Sequence, residues 1–315
     1  MSRLPRFLRK NTTTVYHVVS RTALDGLPIR EAEKDYMLEL IRKFSKLFFV
    51  DVLGFCIMGN HLHLVCRVYP EESITEEQVQ ERFKEFYGED RYISDRDIDY
   101  YRKRWTSLSE FVKDLKQNFT RYYNKKHYRT GFFWGDRFKS TILEKGNALW
   151  SCVAYVELNP IRAGLVADTA DYRFCTWGRY RGSGSHPFQE NFVHHLRDWF
   201  GDATANWRES QVMNRFASLL AQITAKEAGG CPEEIEQAVE QAEKKETMPL
   251  RFMRRTRHWS DGVIIGSKAF IQEVAVQHRE SKRVMNKQFS RGETEMTGVL
   301  HCFRRLRVSD TRPRA

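Results

Sequence analysis

The order in which two hydrophobic periods alternate between residues 14 and 160 constrains the fold more than anything else in this chain. Residues 15–20 (VYHVVS) are few and β-branched, which predicts a strand. Residues 30–48 place Tyr36, Met37, Leu40, Ile41, Phe44 and Phe48 at helical spacing. Residues 49–58 (FVDVLGFCIM) predict a strand, Gly59-Asn60 a turn, and residues 61–68 (HLHLVCRV) a strand that pairs back. Residues 108–127 predict an amphipathic helix with Phe111, Leu115, Phe119 and Tyr122 on one stripe, and residues 137–143 (RFKSTIL) a further strand. Residues 148–159 (ALWSCVAYVELN) predict a helix that stops near Asn159, because Pro160 disfavours helix at the residue before it. Strand, helix, strand, strand, helix, strand, helix is an α+β order. It fits a ferredoxin-like antiparallel sheet with its helices on one face.

Composition narrows what such a domain can do. Of 315 residues, 41% are hydrophobic and 30% charged, enough for a buried core and too apolar for wholesale disorder. The longest apolar run, residues 47–58, is broken by Asp51 and is too short for a bilayer. No signal-type apolar core follows the basic start MSRLPRFLRK, and the six cysteines form no C-x-x-C pair. A soluble, cytoplasmic and nucleoid-associated protein is the expectation. The net charge of +11 makes nucleic acid the first partner to consider.

That charge comes in blocks. Lys+Arg outnumber Asp+Glu by 11 to 6 over residues 1–70, by 9 to 4 over residues 105–145, and by 15 to 6 over residues 248–315. The excess reverses to 7 against 11 over residues 71–104, and to 4 against 7 over residues 211–247. Concentrated cations suit a polyanion, since each neutralised phosphate releases counterions, although solvated helix faces give the same pattern. The shifts divide the chain into a main domain over residues 1–200 with a charged, helix-rich surface insertion at about 71–104. A helical linker over residues 201–248 and a basic, mainly helical module over residues 249–315 complete it.

Two constellations carry chemistry. On a strand, His61 and His63 leave the same face, while Leu62 and Leu64 point into the core and Cys66 has the opposite parity. Two imidazoles side by side can hold one divalent cation, or can simply line a half-exposed strand. On the helix ending at Pro160, Tyr155 and Asn159 lie four residues apart on one face, with Glu157 turned away. A phenol and an amide there can be a nucleophile and an oxygen ligand, or an amphipathic tyrosine at the core edge with its neighbour. Arg137 and Lys139 share a strand face beside Phe133 and Trp134, the combination of cations and rings that holds single strands. Those rings can equally fill the core.

The segments YHVVSRTALDG, GFCIMGNHLHLVCRV, GFFWGDRFKSTIL and YVELNPIRAGLV, in this order and spacing, resemble the single-tyrosine HUH transposases, and among them the REP-associated tyrosine transposases. The resemblance spans roughly residues 8–180. It implies a ferredoxin-like domain that nicks and rejoins single-stranded DNA bearing hairpins or palindromic repeats, through a 5′-phosphotyrosine. By motif position it implies Tyr155 as nucleophile and His61, His63 and Asn159 as ligands of Mg2+ or Mn2+. Ligand preference alone would steer an imidazole pair toward zinc. Trp134, Arg21, Arg137, Lys139 and the arm over residues 3–10 are expected DNA contacts. So are Arg251, Arg254, Arg255 and Arg257, which precede Gly266-Ser267 and a helix-like KAFIQEVAVQH. That module reads as a helix-turn-helix-like DNA contact or as a helix packed on the main domain. No membrane or obligate protein partner is expected, and a monomer or a homodimer fits equally. Two other readings remain: a DNA-binding regulator that keeps the fold without cutting, and a metal-dependent phosphoesterase in which water attacks.

Overall fold

The computed structural model describes residues 8, 9, 11–201, 206–227, 259, 262–277 and 300–303. Its first part runs β1 (Thr14–Arg21), α1 (Glu31–Leu47), β2 (Val50–Ile57), β3 (His61–Val68), α2 (Glu76–Tyr87), α3 (Asp95–Trp105), α4 (Leu108–Lys126) and β4 (Lys139–Leu143). Then come α5 (Asn147–Glu157), α6 (Asn159–Arg162), α7 (Thr176–Ser183), α8 (Gln189–Phe200), α9 (Glu209–Glu227), β5 (Ile264–Gly266), α10 (Lys268–Gln277) and β6 (His301–Phe303). No helix among the described residues is long and apolar enough to cross a membrane, and the five described cysteines are free.

The expected α+β fold is present. The sheet order is β2-β3-β1-β4-β5-β6, with β1 antiparallel to both β3 and β4, and β2 antiparallel to β3. The first four strands thus have the ferredoxin-like arrangement, in which α1 carries the chain from β1 over β3 to β2, and α4 carries it from β3 over β1 to β4. These crossovers pack against each other. They belong to the face holding Val18, Leu62 and Leu64, all buried.

The strand period of two puts His17, Val19 and Arg21 of β1 on the other face with His61, His63 and Val65 of β3, because Val19 lies opposite His63 and Arg21 opposite His61. That face is covered by α5. An added Cβ at Gly54 of β2 would meet the Val153 side chain at 3.6 Å, so the helix lies close to the strand. Every residue of α5 from Ala148 to Glu157 is buried. Sheet lies on one side of it, and the Trp150 ring meets Phe192 and Trp199 of α8 and Phe216 of α9 on the other.

Residues 71–104 are largely helical: α2 and α3 pack on each other and reach α1 and α4. Val79, Ile98 and Trp105 provide their buried contacts. The C-terminal segment is less separate than its composition indicated. Ile264 and Ile265 are buried beside Ile142 and Leu143, β5 pairs parallel with β4, and β6 pairs antiparallel with β5. Helix α10 follows Gly266-Ser267 as expected and packs on these two strands, while Arg9 clasps it through Glu273 and Gln277. Among its described residues, the segment extends the main sheet.

One buried group makes the fold sensitive to acid. His186 is 5% exposed, its Nδ1 accepts the Phe188 N–H, and its ring meets Phe192 edge-on. Burial pushes its pKa down to about 3 from the ordinary 6.5. A depressed histidine contributes stability that is complete above pH 6.5 and is lost as the unfolded chain alone takes up the proton. By pH 5 the loss is about 2 kcal/mol. His186→Asn keeps an acceptor for Phe188. Urea melts at pH 7 and pH 5 should then differ by about 2 kcal/mol less than in the parent protein.

Candidate active site

The histidine pair occupies the sheet face beneath α5. His61 and His63 have ring centroids 4.9 Å apart at 80°. A third histidine joins them. His17 lies opposite Val65, diagonal to His63, a position from which long side chains still reach each other. The two rings stack at 5.1 Å with 8° between planes, and His17 Nε2 lies 2.9 Å from His63 Nδ1. One of these nitrogens donates and the other accepts, so the hydrogen bond ties the tautomers of the two rings together. The Nδ1 of His61 is engaged as well, 2.7 Å from Asn60 Oδ1. The nitrogen left on each ring of the His61–His63 pair is therefore Nε2.

Burial keeps this cluster neutral. It lowers the pKa of His17 to about 4, and that of His61 to about 4 with help from the nearby Arg21 charge. His63 is held well below the usual histidine range by burial first, then by His17, His61 and Arg162. Neutral imidazole is the form that binds a metal.

Tyr155 comes down onto the cluster from α5. Its ring stands edge-on to His63 at 5.9 Å and to His17 at 5.9 Å. The faces of the phenol are covered: Trp259 stacks at 5.6 Å and 24°, and the Arg162 guanidinium carbon lies 4.9 Å from the ring centroid. The residue is consequently 5% exposed. The helix ends just below it, where Asn159 Nδ2 donates to the carbonyls of Tyr155 and Val156, and Arg162 Nη1 also donates to the Tyr155 carbonyl. Two side chains thus satisfy carbonyls that the end of a helix leaves open. With its amide nitrogen engaged, Asn159 has Oδ1 left as the atom it could offer a ligand. Glu157 is buried on another side of the helix and accepts the Trp177 N–H, so it is separate from the phenol.

The other expected residues divide into three groups. Arg21 is exposed at the end of β1, opposite His61, and Lys139 is exposed on β4 opposite Val19, on the histidine face. Arg137 is exposed just before β4. Trp134 is a core residue, packed on Phe119 and Phe133 with its indole N–H donating to the Lys116 carbonyl, and it offers no open face. Phe133 and Phe138 are buried too. Arg251, Arg254, Arg255, Arg257 and, of the arm over residues 3–10, residues 3–7 and Lys10 lie outside the described residues. His17, Arg162 and Trp259 are the neighbours that sequence reasoning did not single out. A lone histidine in the β-branched run VYHVVS, at the parity of Arg21, was the available signal for the first.

A different cluster of ligand-type side chains, His194, His195 and Asp198 on α8, has its donor atoms within 4.8 Å of one another. It is mostly exposed, and the Arg67 guanidinium lies 3.1 Å from His195 Nε2.

No protein-family model matches the chain, and no curated protein matches it. Among solved structures, a REP-associated tyrosine transposase bound to a REP hairpin aligns at 15% identity with a TM-score of 0.41, over 60% of this chain and 90% of that one. A likeness at that level is too distant to assign chemistry, which rests on the residues themselves.

Proposed function

We propose that this protein cuts and rejoins single-stranded, hairpin-bearing DNA through a covalent 5′-phosphotyrosine on Tyr155, as a transposase of the single-tyrosine kind does. The observation that carries the reading is the meeting of Tyr155 with the histidine pair: a phenol ring 5.9 Å from the His63 ring, brought from a different element. The motif resemblance of the sequence and the basic blocks point the same way.

The protonation and hydrogen bonding of these side chains suit them to a divalent metal. His61 and His63 are neutral, each has its Nδ1 tied to a neighbouring side chain, and Asn159 has its amide nitrogen tied to backbone. Metal-binding histidines characteristically have their second nitrogen fixed in this way. His61, His63 and Asn159 would hold Mg2+ or Mn2+, which when bound polarises a phosphate as a Lewis acid.

The chain's own residues supply the rest. The Tyr155 oxygen forms a bond to phosphorus and gives up its proton, while the bond from phosphorus to the 3′ oxygen breaks and that oxygen gains one. The new ester keeps the energy of the phosphodiester, so a second 3′-hydroxyl can reverse the step without ATP. Arg162 places positive charge over the phenol, where the anionic phosphate has to arrive, and Arg21 and Lys139 extend that charge along the sheet edge.

A labelled single-stranded hairpin incubated with Mg2+ or Mn2+ and run on a denaturing gel tests this. A protein-shifted band is expected. No product would favour a non-cutting regulator, and free fragments without an adduct would favour hydrolysis by water.

His17 has a measurable part in this scheme, because it fixes the ring that carries a ligand nitrogen. His17→Phe keeps an aromatic ring but removes the bond to His63 Nδ1. Calorimetric titration with Mn2+ should show affinity reduced roughly ten- to hundredfold. Hairpin affinity in metal-free buffer should stay unchanged. Unaltered Mn2+ affinity would reduce His17 to a packing residue.

A further inference from the structure

The loop between α4 and β4 holds two aromatic rings out in water. Tyr128 is 99% exposed and Phe132 is 89% exposed, in a protein that buries most of its aromatic side chains. The loop is pinned along its length. His127 stacks on Tyr123 at 4.2 Å and meets Glu33 Oε1 through Nε2 at 3.0 Å. The Arg129 N–H donates to the Asn124 carbonyl at 2.8 Å, and Asn124 Nδ2 donates to the Gly131 carbonyl at 2.9 Å. The Phe133 carbonyl accepts from the Ala23 N–H and from Thr22 Oγ1. Tyr128 also has φ of 51°, the left-handed region that side chains other than glycine and asparagine avoid. Strain of this kind persists where surrounding structure enforces it, and it clusters at binding sites.

The surroundings identify a polyanion with flat apolar faces. Residues 121–139 carry six Lys or Arg (Arg121, Lys125, Lys126, Arg129, Arg137, Lys139) against one acid, Asp136. The loop also abuts the histidine end of the sheet. Gly135 N–H donates to the Arg21 carbonyl, and Thr22 N–H donates to the Asn60 carbonyl beside His61. An open cavity of about 310 Å³ adjoins it, lined by Asp25, Leu27, Pro28, Arg30, Tyr123 and His127.

We propose that this loop is a stacking platform for unpaired nucleobases, with Tyr128 and Phe132 as the rings and Arg121, Lys125, Arg137 and Lys139 receiving the phosphates. Rings already fixed in the open lose little freedom on binding, and stacking on them tolerates any base. The platform would hold the single strand that flanks a hairpin stem and lead it to the histidine end of the sheet. It rests on the reading of the protein as one that acts on single-stranded DNA.

Full-length protein with Tyr128→Ala, Phe132→Ala or both is titrated, by fluorescence anisotropy, with a hairpin bearing single-stranded flanks and with the same stem cut blunt. Each substitution should weaken binding of the flanked hairpin about fivefold or more, and both together about twenty-five-fold or more. Binding of the blunt stem should change less than about twofold, and the slope of affinity against salt should stay the same, because no phosphate contact is lost. Tyr128→Trp and Phe132→Trp should bind like the parent. Parent-like binding of the flanked hairpin by the double variant, or an equal loss on both DNAs, would overturn the platform while leaving the reading of the protein as DNA-acting in place. If the parent binds neither DNA, that reading falls and the platform with it. A changed sedimentation rate of the double variant would assign the rings to self-association instead.

Discussion

Replacing Tyr155 with phenylalanine should abolish the covalent protein–DNA band and the cleaved product together, while hairpin affinity stays within about twofold. The substitution removes one oxygen from a ring whose position is set by its faces and edges. Trp259 stacked on one side, Arg162 over the ring, and His17 and His63 at the edge can all hold phenylalanine equally well. The fold should therefore keep its stability within about 1 kcal/mol, the usual net worth of a hydroxyl's hydrogen bond. The chemistry has no substitute for that oxygen. Loss of a nucleophile that forms the intermediate removes the step outright, and only background attack by water remains. If Tyr155→Phe still yields the adduct, the nucleophile is another residue. If it still cleaves but forms no adduct, water is the attacker and the phenol a bystander.

The second large effect concerns the fold that holds the site. Gly178→Ala should lower stability by about 3 kcal/mol or more, and the melting temperature by about 4 °C or more. Gly178 lies in the first turn of α7, pressed against the turn at Thr169–Asp171. A Cβ there would fall 2.0 Å from the Tyr172 carbonyl oxygen and 2.7 Å from that of Thr169. Both obstacles are backbone, so no flexible side chain can swing aside. The same turn anchors Tyr172, whose hydroxyl donates to the Ile57 carbonyl at the end of β2 and accepts from Lys34 of α1. Displacing it pulls on the strand next to β3, and metal affinity should decline with stability. Gly182→Ala, later in the same helix and with nothing within 4 Å of its would-be Cβ, is the control. It should be neutral or stabilising by about 0.5–1 kcal/mol, the helix preference of alanine over glycine. Equal losses from both substitutions would show that helix disruption, and not the close approach to Tyr172, dominates.

The elements on which the site depends were legible because each is long enough to show its period. The strand over residues 61–68 has its expected bounds, and α1, α4 and α5 start and stop within two residues of expectation. From those periods follow the shared face of His61 and His63 and the four-residue step from Tyr155 to Asn159. What remained hidden is non-local. β5 and β6 are three residues each, too short to display alternation, and β5 joins the sheet by parallel pairing that no neighbouring hairpin announces. The His17–His63 bond depends on strand register, which the sequence of β1 alone does not set. Trp134 and Phe132 stand two residues apart in one aromatic run, one in the core and the other in water. Only the loop geometry decides which ring faces solvent. The stack of Trp259 on Tyr155 joins residues more than a hundred positions apart, and no local pattern encodes it.

Trapping the adduct and locating it tests the central claim most directly. Trypsin digestion after incubation with hairpin DNA and Mn2+, followed by mass spectrometry, should place the nucleotide on the peptide of residues 146–162, where Tyr155 is the one tyrosine. A nucleotide found on any other tyrosine, or cleaved DNA with no modified peptide, would contradict it.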